Sequence, residues 1–206
     1  MPGQSHRVFP MSISSSSPNS PELSNTVVDG PKFFVVSLRK LIVMTIFTFG
    51  MYWIYCFYRN WVLYQRATGE PVIPIVRTVF SIFFIYSLLT KVDRQICLSG
   101  RSYAWSPPAL VGGLILSTLL IFVTGAPIDL RPIEALVIVS ALDVVRIFMI
   151  VRIQQAINFC VGDPEGEVNA RLSFFNWLWI LPGIPAWFLI VAVHVDPGWV
   201  SSVINA

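Results

Sequence analysis

From Leu41 to Tyr58 the chain runs 18 residues without an ionised side chain, and the stretch from Ala109 to Gly125 is likewise uncharged. A helix rises about 1.5 Å per residue, so the first stretch reaches roughly 27 Å, close to the hydrocarbon thickness of a bilayer. Ile133 to Val151 and Phe174 to Val195 are nearly as apolar. Apolar residues form 55% of the chain and charged residues 12%, against about 25% charged in a soluble domain. So few charges cannot cover a soluble globule of this length. The pattern predicts an all-α fold: an integral membrane helical bundle with four or five transmembrane helices.

The count turns on one segment. Thr78 to Thr90 is uncharged for only 13 residues, about 20 Å of helix, a length that suits re-entrant or interfacial segments. If Arg77 and Lys91 reach out to the headgroups, residues 72–92 span instead. The other spans are expected at 41–58, 109–125, 133–151 and 174–195. The first is crowded after Gly50 with Tyr52, Trp53, Tyr55, Phe57 and Tyr58. Such rings favour the membrane boundary, so the helix either crosses or turns along the surface near Gly50. Residues 1–31, rich in Ser, Pro and Asn, read as a disordered polar tail without a signal peptide or lipidation motif. Residues 32–206 then form one polytopic domain.

Positive charge orients the chain but does not count its spans. Five spans place eight Lys/Arg against four, and four spans also give eight against four. Both arrangements put the loop 158–173 inside, the loop around Asp129 outside and the C-terminus outside. Only the side of the N-terminus differs, and a polar tail without an export signal favours the inside. Through Arg101 there are ten Lys/Arg against four Asp/Glu, and afterwards four against seven. The basic half reads as a topology signal that also meets anionic lipid, at about 1 kcal/mol per cation. Nucleic acid is not expected as a partner, because the aromatic residues sit beside the spans.

Three groups of residues stand out as candidate sites. Asp143 and Arg146 fall near the middle of the fourth span, where a lone charge costs about 2.5–3.5 kcal/mol on the insertion scale. Spaced i, i+3, they share a face, and Ser140 and Gln154 extend it. The pair either handles a proton or ion in a cavity, or neutralises itself within the bundle. Pro182, Gly183 and Pro185 predict a break in the fifth span, which serves either packing or a binding site of freed carbonyls. Ala109, Gly113 and Ser117 recur every four residues and form a small-residue face for helix packing.

Other chemistry is not expected. With only His6 and His194 in the chain, no histidine metal cluster can form, and Cys56, Cys97 and Cys160 lack C-x-x-C spacing. The acidic stretch Gly162 to Glu167 lacks calcium-loop spacing and reads as a solvated connection. No nucleotide-binding or nucleophile-elbow motif is present, and the intramembrane polar residues are too few for a catalytic set. The expectation is therefore no metal, no cofactor and no enzyme.

The segment Thr48-Phe49-Gly50-Met51-Tyr52, with Lys40 to Val43 before it and Tyr58-Arg59-Asn60-Trp61 after it, resembles small multi-pass bacterial inner-membrane proteins of unknown function. These carry an apolar helix, a T-x-G-x-Y turn and an aromatic, Arg-bearing stretch. The resemblance covers about thirty residues and implies a bacterial inner-membrane location, with no activity or cofactor attached. Two functions follow as expectations. One is a non-enzymatic interaction or accessory protein in the bilayer, with a homo-oligomer or another membrane protein as partner. The alternative is a small oligomeric transporter or channel using the Asp143–Arg146 pair and the proline break.

Overall fold

The computed structural model describes residues 32–124 and 130–196, with Gly198 and Ser202. The polar tail over 1–31, the loop around Asp129 and the C-terminal end lie outside the described residues. All regular structure among the described residues is helical.

A segment without regular structure, 33–37, leads into α1 (Leu38–Phe47), where the Ser37 hydroxyl accepts the Lys40 amide at 3.4 Å. The helix stops after 10 residues, too short at about 15 Å to cross a bilayer. Thr48 makes the corner. Its Oγ1 donates to the Met44 carbonyl at 2.6 Å and accepts the Tyr52 amide at 3.0 Å. Phe49 (φ 51°) and Gly50 (φ 86°) take left-handed backbone, the conformation in which glycine is least strained, and reverse the chain into α2 (Met51–Thr68). The stretch 41–58 therefore holds a helical hairpin: of the two courses expected there, the chain turns near Gly50 and does not continue as one helix. Glycine, not charge, punctuates it.

The stretch 72–92 divides in the same way. Pro74 opens α3 (Pro74–Val79), Phe80 leaves helical geometry, and α4 (Ser81–Leu98) follows. The other three helices are long. They are α5 (Pro107–Thr124), α6 (Pro132–Val161) and α7 (Phe174–Val195). Two of them, α5 and α7, are long and apolar enough to cross a membrane, with mean hydropathies of 1.9 and 2.0. The third, α6, has 30 residues and runs about ten beyond its expected end. Its last turn is held by Arg101, which donates to the carbonyls of Phe159 (2.9 Å) and Cys160 (2.8 Å), a favourable place for a cation.

The core lies at one end of the molecule. Leu41, Met44, Phe57, Trp61, Leu88, Leu89, Ile153 and Ile157 are buried there, on α1, α2, α4 and the second half of α6. The rest of α6, the end of α5 and nearly all of α7 turn apolar side chains outward. Phe122 is 83% exposed, and Val137, Val144, Phe148, Trp179 and Phe188 are exposed with it. Only Ile180 and Gly183 of α7 are buried. A Cβ on Gly50 would lie 3.8 Å from Arg146, which stands at the midpoint of α6. Gly50, Ser81 and Arg146 also line one small cavity of about 210 Å³. Both short hairpins thus end halfway along α6.

Candidate functional site

The segment 33–37 belongs to no helix or strand among the described residues, and Phe33, Val35 and Val36 are buried. Its backbone groups therefore need partners inside the protein. Side-chain amides supply them. Asn60 Oδ1 accepts the Phe34 amide at 2.8 Å, and Gln154 Nε2 donates to the Phe34 carbonyl at 2.9 Å. Asn158 holds both groups of Val36, accepting its amide at 3.4 Å and donating to its carbonyl at 2.9 Å. Asn169 Nδ2 donates to the Val35 carbonyl at 3.2 Å. Asn60, Gln154 and Asn158 are fully buried. Gln154 and Asn158, one turn apart on α6, also bond each other at 2.8 Å. The acidic loop closes over this segment and is not merely solvated: a Cβ on Gly166 (φ 71°) would meet the Val36 and Ser37 backbone at 2.5 Å.

Lys40 emerges next to this clamp and is only 7% exposed. Its Nζ donates to Asn169 Oδ1 (2.7 Å) and to the Arg171 carbonyl (2.9 Å). Both acceptors are neutral, and burial holds the ammonium below the ordinary lysine value.

Lys40 faces a half-open cleft of about 1030 Å³ between α1, α2 and the start of α7, at the upper end of the roughly 300–1,000 Å³ usual for ligand sites. One end is polar, with Lys40, Arg59, Asn169, Arg171 and Asn176; the other is apolar, with Met44, Met51, Ile54 and Trp179. The Arg59 guanidinium lies 5.5 Å over the Phe34 ring, and its Nε is buried without a hydrogen-bond partner. None of Lys40, Arg59 and Arg171 forms an ion pair among the described residues. The carboxylate on the rim, Asp163, is already engaged by the amides of Val168 (3.1 Å) and Glu167 (3.0 Å), which hold its carboxyl below the usual range.

The site residues expected from the sequence lie elsewhere. Asp143 and Arg146 form an ion pair at 2.7 Å, each just over a quarter exposed, and Ser140 is exposed and joins neither. Gln154, expected on the same stripe, belongs to the amide clamp. The proline segment does not break α7, which is helical through Pro182 and Pro185. Gly183 instead permits a close crossing, since a Cβ there would sit 2.1 Å from the Phe47 carbonyl oxygen. One turn on, Trp187 donates to the Ile46 carbonyl at 3.0 Å and stacks on Phe49 at 5.3 Å. The proline segment and Arg146 thus meet the same α1–α2 corner. Of the small-residue face, Gly113 touches Met149 of α6 and Ser117 is buried, but Ala109 is exposed, because the packed stripe runs through Leu110, Leu114 and Ser117.

The cleft itself was missed. Its cations read as topology signals, and Gln154 and Asn158, which hold the segment beside it, bond partners 120 residues or more away in the chain. The available signal was Asn60, Gln154 and Asn158 within otherwise apolar helices. No family model matches this chain, and none of the curated proteins or solved structures compared with it shows significant similarity.

Proposed function

We propose that this chain is an integral membrane protein with a non-enzymatic accessory or interaction role, in a bacterial inner membrane with its C-terminus outside. In this reading α5, the first half of α6 and α7 cross the bilayer, and the α1–α2 and α3–α4 hairpins enter it to about half depth. The carrying observation is the concentration of large exposed apolar side chains on the crossing helices and the two hairpin tips, with Ile73, Ile75, Leu98 and Val168 as the exposed apolar residues elsewhere. Such an apolar surface far exceeds the few hundred Å² usual on a soluble monomer. Lipid, with a membrane protein partner or a second copy on the α7 face, is its natural cover. The resemblance around Thr48 to Trp61 supports the bacterial assignment.

Alkaline carbonate washing of membranes containing the full chain tests this reading. Retention in the pellet is expected, and release into the supernatant contradicts it. The alternative, a small oligomeric transporter, requires Asp143 and Arg146 to face a water-filled path. Their mutual bond favours the accessory role.

A further inference from the structure

The cleft joins two features that a solvated surface groove does not combine. Its polar end gathers three cations without an ion-pair partner among the described residues, one of them buried on neutral acceptors. Its apolar end opens beside the α1–α2 corner, where Met51 and Ile54 are exposed. Cations that lack carboxylates favour an anion, and charge-assisted hydrogen bonds from Lys and Arg suit phosphate oxygens. A free anion would leave the exposed Met51 and Ile54 without a role, whereas an acyl chain covers them.

We propose that this cleft binds an anionic amphiphile: a phosphate head group held by Lys40, Arg59 and Arg171, with an acyl tail lying over Met51 and Ile54. The assignment rests on the membrane reading above, because the tail end opens towards lipid only if the hairpin tip lies within the bilayer. Head-group recognition sits at the interface level and the tail descends to the level of Gly50. Lys40 is fixed by Asn169 and Arg171, so Arg59, held only by its stacking on Phe34, is the cation free to close on the head group.

The test uses the full chain in a neutral maltoside detergent, titrated with dihexanoyl phosphatidylglycerol, dihexanoyl phosphatidylcholine or inorganic phosphate, with the thermal midpoint as readout. Phosphatidylglycerol is expected to bind at least about tenfold tighter than either other probe, the scale of one charge-assisted contact. Arg59→Gln is expected to weaken phosphatidylglycerol about tenfold, with partial rescue by Arg59→Lys. Met51→Glu, at an exposed position that leaves the core intact, should weaken it too, and Arg66→Gln, at an exposed position outside the cleft, should not. Equal binding of phosphatidylcholine, equal binding of inorganic phosphate, or an unchanged Arg59→Gln titration would each overturn the proposal. Inorganic phosphate as tight as the lipid would assign the cleft to a free anion. Release of the chain by carbonate would sink the membrane reading whatever the titration shows. Failure of the titration with a carbonate-resistant chain would sink only the cleft assignment.

Discussion

The two ends of α6 obey different rules. Around Ile150 to Cys160 the helix buries apolar and amide side chains together, and the buried amides Gln154 and Asn158 serve a neighbouring backbone. Between Ile133 and Phe148 it presents apolar side chains outward, and its charges close on each other. The first end is a protein core, in which buried amides are tolerated because most of their polar atoms have partners, Gln154 Oε1 being an exception. The second end has the outward apolarity of a helix whose solvent is hydrocarbon. One helix crossing from one regime to the other explains why no single periodicity describes it.

Variants can break this contrast at either end, and the largest effect is expected in the clamp. Asn158→Leu leaves the Val36 amide and carbonyl buried without partners, at about 1–3 kcal/mol each. A fall in unfolding midpoint larger than that of any exposed substitution is the expected outcome, read by thermal unfolding in detergent. Next comes Gly183→Val, which drives a side chain into the Phe47 backbone and should cost roughly 1–3 kcal/mol by overpacking. Asp143→Leu leaves Arg146 uncompensated in a segment assigned to lipid, at about 2.5 kcal/mol. The Asp143→Leu/Arg146→Leu double variant should recover most of that loss, because no charge then remains to neutralise. If the single variant is silent, the pair is solvated and the contrast fails.

The smallest effect concerns the ion pair of Glu70 with Lys91 (3.1 Å), in which Glu70 also accepts from Tyr64. The hydroxyl of Tyr64 and the ammonium of Lys91 hold the Glu70 carboxyl below its ordinary value. Its folded value is depressed, so the stabilisation is present at neutral pH and lost as pH falls through that folded value. A pH titration of the unfolding midpoint should show Glu70→Gln removing a shallow acid slope and leaving the neutral midpoint nearly unchanged.

Much of the outward-facing half was legible from composition. The helix α7 occupies the apolar stretch 174–195, and α5 starts at the two prolines before Ala109. The core half was less legible for two reasons. A glycine corner interrupts 41–58 without any charge to mark it, so length arithmetic leaves a turn near Gly50 and a single crossing equally open. The apolar stretch of α6 ends at Val151, before Arg152, yet the helix continues because Arg152, Gln154 and Asn158 have partners in the fold. The amide clamp depends on contacts across most of the chain, and local spacing carries no trace of them. The small-residue face shows the same limit: Gly113 and Ser117 pack, while the drift of a 3.6-residue period turns Ala109 away.

The central claim is that the exposed apolar surface of α5, α6 and α7 meets lipid. Photolabelling with a lipid-partitioned carbene reagent, on the full chain in intact membranes and read by mass spectrometry, addresses it directly. The account predicts labels on Phe122, Val144, Phe148 and Phe188, and none on Trp61 or Ile157. Absence of carbene labels from those four residues, with heavy modification of them by a water-borne hydroxyl radical, would contradict it.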